Sequence, residues 1–196
     1  MDHTKENRSC RGTELNRRRF FKLGLLGIAA LVTPVSTRAG LVHRVERERR
    51  LAFYNIHTGE HLKTVYWAGG AYLPEGLVQI NHILRDFRTD TVVPMHHRLL
   101  DLLYLLQTRL ELHRPFDVIS GYRTPATNAL LRGHSRQVAK HSLHMDAMAI
   151  DIHTPGVTLT RLRDAALSLH LGGVGYYPRS GFVHVDVGRV RHWRGS

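Results

Sequence analysis

The sequence predicts an α+β domain in which an antiparallel sheet carries helices packed on one side. Three observations carry this: short β-prone runs separated by turn residues at both ends of the chain, three stretches with apolar residues at helical spacing between them, and no internal repeat. Residues 51–57 and 62–67 flank Thr58-Gly59-Glu60, which reads as a hairpin. Pro74 opens a helix whose apolar side is Leu77, Ile80, Leu84 and Phe87. A second helix over 96–113 shows a stripe of Leu99, Leu102, Leu103, Leu106 and Leu110, the pattern of a face turned to a core. Residues 116–120 form an apolar strand that stops at Gly121-Tyr122-Arg123, and a short helix follows over 125–131. A strand over 147–152 precedes an amphipathic helix over 159–169 with Leu162, Ala166 and Leu169 on one side. Gly172-Gly173 ends that helix, and strands 174–177 and 182–187 close the domain around Pro178-Arg179-Ser180-Gly181.

At 196 residues, with 42% apolar and 22% charged side chains, the chain suits one ordinary domain, and neither wholesale disorder nor a polytopic membrane protein fits. The net charge is +12, but Lys5, Arg8, Arg11, Arg17, Arg18, Arg19, Lys22 and Arg38 against Asp2, Glu6 and Glu14 place +5 of it in residues 1–39. There Arg17-Arg18-Arg19-Phe20-Phe21-Lys22 precedes a Gly- and Ala-rich apolar run over 23–35, too short to span a bilayer, and then Ser36-Thr37-Arg38-Ala39. This resembles a twin-arginine signal peptide. The division expected is a signal over 1–39, a charged lead-in over 40–50 and a domain over 51–194. The single cysteine, Cys10, falls in the signal, so an exported domain has no disulfide, and any metal in it is held by imidazole and carboxylate. Twin-arginine export implies the bacterial periplasm and passage through its translocase. The anionic polymer there is peptidoglycan, so a nucleic-acid partner is not expected.

Fourteen of the fifteen histidines lie beyond residue 39, and most are ordinary surface residues. Two features single out a few. His144 stands seven residues before Asp151, a carboxylate inside an apolar strand run, where burial without compensation is costly and metal coordination supplies that compensation. In Phe182-Val183-His184-Val185-Asp186-Val187 the alternation turns His184 and Asp186 to one strand face. Two imidazoles and a carboxylate are a standard open zinc set, leaving a position for water. Such a centre hydrolyses amides.

These residues reach a known family. His144-x6-Asp151 with His184 on a late strand resembles the zinc signature of the D-alanyl-D-alanine peptidase superfamily, which includes the hedgehog-type domains. Asn55-Ile56-His57-Thr58-Gly59-Glu60, Ile119-Ser120-Gly121-Tyr122-Arg123, His134-Ser135-Arg136 and the run from Gly172 to His184 are more closely similar to the murein endopeptidase K family of zinc peptidases. The resemblance covers nearly the whole chain after the signal. It implies a zinc endopeptidase cutting peptide cross-links of peptidoglycan, with His144, Asp151 and His184 as ligands to Zn2+ and Arg123 on the substrate.

Two positions depart from the pattern. Ala147 stands where the family usually has Gly, which leaves the local turn open but preserves the ligand spacing. The acid that better-known superfamily members carry three positions before the last His is replaced by Gly181. Asp186 is the nearest chemical substitute as proton acceptor, and orienting the His184 imidazole is its other reading; His141 and His153 are further candidates. Tyr176 and Tyr177 line the cleft or pack beneath it. A second function remains in view, a zinc-containing domain that binds cell-wall peptides without cleaving them, since a lost acid is what a degenerate enzyme shows. The cross-link preferred and a regulatory lipoprotein partner are left open.

Overall fold

The computed structural model describes residues 48–135 and 138–195. The signal expected over 1–39 and most of the lead-in lie outside them. Among the described residues eight strands form one sheet: β1 (Glu48–Asn55), β2 (His61–Ala68), β3 (Ala71–Tyr72), β4 (Phe116–Ser120), β5 (Ala149–His153), β6 (Gly173–Tyr177), β7 (Phe182–Asp186) and β8 (Arg191–Arg194). Their spatial order is β3-β2-β1-β4-β5-β7-β6-β8. Four helices accompany it among the described residues, α1 (Pro74–Ile83), α2 (His97–Leu110), α3 (Pro125–His134) and α4 (Leu159–Leu169).

The α+β class is as expected, but the sheet is mixed rather than antiparallel. β1 pairs parallel with β4, and β6 parallel with β8. The first pairing follows from α1 and α2, which form a long crossover that returns the chain to β1 in the same direction. The second arises because the chain leaving β7 turns across the start of β6 in four residues and runs along its outer edge. Gly172 and Gly173 make that turn possible. A Cβ on Gly172 would lie 1.8 Å from the Asp186 carbonyl oxygen, and one on Gly173 would lie 2.3 Å from Arg191 Nη1. Strand β8, Arg-His-Trp-Arg, lacks apolar alternation and owes its conformation to the edge of β6. Helix α1 also ends earlier than its apolar spacing suggests, with Leu84 as its C-cap and Phe87 beyond it.

One face of the sheet and three helices share a single core. Leu51, Phe53, Phe116, Val118, Ile150, Ile152, Val183 and Val185 meet Ile80 and Ile83 of α1, the α2 leucine stripe, and Leu162, Ala165 and Ala166 of α4. Helix α3 adds no apolar side chain to this cluster; its buried residues are Thr127 and Asn128. The opposite face of the central strands holds the odd-numbered position of β5 and the even-numbered positions of β7 that the core does not use: Asp151, His184 and Asp186. Register pairs Asp151 directly with His184. Strands β5 and β7 are therefore buried on both faces, one face by the apolar core and the other by polar groups that contact one another.

Candidate metal centre

Three side chains expected as ligands converge. His184 Nδ1 lies 2.8 Å from Asp151 Oδ1, His144 Nε2 lies 3.1 Å from His184 Nδ1, and His144 Nε2 lies 3.3 Å from Asp151 Oδ1. All three residues are buried. Asp151 and His184 meet as cross-strand neighbours, and His144 arrives from the loop before β5. In that loop Ala147 takes a left-handed conformation, φ 55°, which glycine adopts without steric cost. The turn is thus one a glycine would make, with Ala147 in its place. The His96 N–H donates to the Ala147 carbonyl at 3.0 Å and ties the loop to the start of α2.

The outer nitrogens of both rings settle which way the inner ones face. His144 Nδ1 donates to the Gly121 carbonyl at 2.7 Å, and His184 Nε2 donates to Asp186 Oδ2 at 3.1 Å. In neutral rings, those bonds leave His144 Nε2 and His184 Nδ1 as lone pairs turned toward Asp151 Oδ1. Three proton acceptors about 3 Å apart repel one another unless a cation or proton lies among them. A tetrahedral ion with bonds of about 2.0–2.1 Å holds its ligands about 3.3 Å apart, so the donor set and its spacing fit a small divalent cation.

The electrostatics are those of a desolvated centre. Burial pushes the His144 imidazole below its ordinary value, with the Asp151 charge opposing only in part. Burial alone would raise the Asp151 carboxyl, but His144, His184 and Arg123 overcome it and hold the group well below the usual carboxylate range. For His184 burial acts downward, and the Asp151 and Asp186 carboxylates outweigh it.

Arg123 stands just past β4 and donates through Nη2 to Asp151 Oδ2 and through Nε to Ser120 Oγ at 2.7 Å. It therefore touches the carboxylate oxygen that does not face the histidines, and it also lines the cleft. Gly121 is required beside it: a Cβ there would meet the Leu84 carbonyl oxygen at 2.3 Å. Asp186 lies behind His184, fully buried. Its Oδ1 accepts from Gly173 N, Gly188 N and Arg191 Nη1 at 2.9–3.0 Å, and its Oδ2 accepts from Arg191 Nη2 at 2.7 Å and from His184. Burial raises its carboxyl, and these donors pull it far below the usual range.

The centre forms part of the wall of a cleft of about 520 Å³. His141, a sequence candidate, is in its lining, whereas His153 faces Asp117 at 3.4 Å and is not. Gly181 occupies the β6–β7 turn at φ 77°, so the acid missing there is replaced by a residue that makes the hairpin tight. Of the two tyrosines, Tyr177 lines the cleft and Tyr176 packs against the core. Sequence reasoning missed Trp193, whose ring lies 5.2 Å from His184 and whose Nε1 donates to the Tyr177 hydroxyl at 2.8 Å. The signal available was Gly175: a Cβ there would lie 2.6 Å from the Trp193 ring. His57 and Arg88 are also in the lining.

Residues 43–193 match the family model described as peptidoglycan L,D-endopeptidase MepK. The chain belongs to this family. It is 43% identical over 180 residues to the peptidoglycan L,D-endopeptidase MepK of Escherichia coli K12, an overlap covering 92% of this chain and 98% of the relative. The protein of that name in Shigella flexneri matches to the same extent. A probable peptidoglycan L,D-endopeptidase MepK of Haemophilus influenzae is 40% identical over 181 residues, 92% of this chain and 96% of the relative. No match is found among solved structures. The MepK family lies among the M15 peptidases, so the resemblance read from His144, Asp151, His184 and the Gly172–His184 run leads to the same place as the comparison.

Proposed function

We propose that this chain is a zinc-dependent peptidoglycan endopeptidase, hydrolysing peptide cross-links of the bacterial cell wall. The observation that carries this reading is the convergence of His144 Nε2, His184 Nδ1 and Asp151 Oδ1 in the wall of a cleft, each aimed by its own hydrogen-bond partner. His144, Asp151 and His184 would hold the ion, and zinc bound there supplies Lewis acidity and acidifies water. The chain's own groups do the rest. Gly121 and Asp186 hold the two imidazoles in the coordinating tautomer, and Asp186 acts through His184 because its oxygens are all engaged. Arg123 steadies Asp151 from behind and extends its guanidinium along the cleft wall, where it polarises the carbonyl under attack. Asp151 is the only carboxylate in the described lining, which leaves His141, His57 and Tyr177 as the described side chains able to pass a proton to the leaving amine.

The basic segment before residue 40 supports export by the twin-arginine route to the periplasm, where the substrate resides. The deciding experiment is mass spectrometry of muropeptides released from purified sacculi. Release by the wild type, its loss on chelation, its return with zinc and its absence in His184→Ala are expected. The competing reading, a zinc-containing domain that only binds cell-wall peptides, draws on Gly181 in place of an acid. Retention of the protein on sacculi without release of fragments would favour it.

A further inference from the structure

The geometry points to Arg88, and we propose that its guanidinium receives a free carboxylate of the stem peptide beside the bond to be cut, making it a specificity-determining residue. The inference rests on the endopeptidase reading and adds to it a substrate group and the residue that selects it.

Among the described residues three arginines line the cleft, and two are already neutralised. Arg123 is paired with Asp151, and Arg191 with both oxygens of Asp186. Arg88 has no carboxylate within ion-pair distance among the described residues; its guanidinium carbon stands 4.3 Å over the Phe87 ring. A ring face holds a cation in place without cancelling its charge, so the two-pronged carboxylate geometry stays available.

Its mount is fixed. Phe87 stacks on His57 at 4.1 Å, and His57 Nε2 donates to the Ile119 carbonyl at 2.9 Å. The Arg88 backbone N–H donates to Asp86 Oδ1 at 3.1 Å, while Asp86 Oδ2 accepts from Thr124 N and Thr124 Oγ, both at 2.8 Å. One buried carboxylate therefore anchors both Arg88 and the residue that follows Arg123. The cation that has no acidic partner among the described residues thus shares its backbone anchor with the segment that carries Arg123, and that backbone needs no ordering when an anion arrives. A peptide joined to its neighbour through a side-chain amine keeps its own α-carboxylate, an anion within a residue of the new amide. Amidation of that carboxylate removes the charge and replaces an acceptor oxygen by a donor, which Arg88 cannot bind.

The test uses the zinc-loaded protein and two cross-linked muropeptides that differ only in whether this carboxylate is free or amidated. Wild type, Arg88→Lys and Arg88→Ala are compared for kcat, KM and zinc content, and for equilibrium binding of the free and amidated product peptides. Amidation is expected to lower wild-type kcat/KM at least tenfold, chiefly through KM. Arg88→Ala should lose a similar factor on the free form only, bind both product peptides alike and retain full zinc, with Arg88→Lys between. An Arg88→Ala loss that is equal on both substrates, or wild-type rates indifferent to amidation, overturns the proposal alone. A zinc-loaded wild type inactive on both substrates overturns the endopeptidase reading as well.

Discussion

His184 and Asp186, two residues apart on β7, face the same side of the sheet and join through His184 Nε2 and Asp186 Oδ2 at 3.1 Å, so the strand's own alternation dictates which imidazole nitrogen meets Asp151. Replacing Asp186 by Asn tests the consequence. An amide offers one acceptor oxygen where the carboxylate offers two, yet His184, Arg191, Gly173 and Gly188 all donate to this position. Either orientation of Asn sets its NH2 against another donor. Metal affinity should fall about 10–100-fold, the usual cost of losing the partner of a ligating imidazole. Competition with a chromogenic chelator measures it, and an unchanged affinity would show that His184 is oriented by something else.

The candidate ligand set was legible in the sequence because its residues break a pattern: Asp151 is a charge in an apolar strand, and His184 alternates with valines. Strand partners were not legible in the same way. Periodicity says that 51–57 and 116–120 are strands but not that they run parallel side by side, which depends on the α1–α2 crossover. Strand β8 left no signal of its own, because Arg191 and Trp193 are fixed by Asp186 and Tyr177 across the sheet rather than by apolar burial. Arg88 was hidden for a related reason: an arginine between Phe87 and Thr89 is unremarkable until Asp86 and the cleft place it.

Asp86 gives a pH dependence with a definite sign. Burial raises its carboxyl, but donors from Thr127, Thr124 and the Arg88 backbone hold it below the ordinary value. A depressed folded pKa contributes stability that is fully present above the unfolded value, about 3.9, and is lost as pH falls through the folded value. The stability gap between wild type and Asp86→Asn should therefore be constant from pH 7 to about 5 and shrink as acidification passes below about 4. Urea midpoints across that range provide the check. A gap that widens on acidification contradicts the assignment.

Gly172, just before β6, differs in kind from the glycine in α3. A Cβ on Gly172 would meet backbone, the Asp186 carbonyl oxygen at 1.8 Å, and neither strand can yield without breaking its pairing. Gly172→Ala should lose about 3 kcal/mol or fail to fold, the upper range for overpacking. Gly133 in α3 has open space around its Cβ position and an ordinary helical backbone, so Gly133→Ala should gain up to about 1 kcal/mol. Thermal unfolding of the two variants should move in opposite directions.

Trp193 offers a direct optical report on the centre. Its ring lies 5.2 Å from His184 and is pinned by Tyr177, whereas the protein's other tryptophan, Trp67, stands on β2 over Arg49, four strands away from β7 in the sheet order. In a Trp67→Phe variant the emission comes from Trp193 alone. Cobalt(II), which takes the same nitrogen and oxygen donors as zinc and quenches nearby indoles through its partly filled d shell, should extinguish most of that emission with saturation at one equivalent. Zinc added first should block the quenching, and His184→Ala should abolish it. Quenching that persists in His184→Ala, or that continues to rise beyond one equivalent, would locate the cobalt elsewhere and remove His184 from the ligand set.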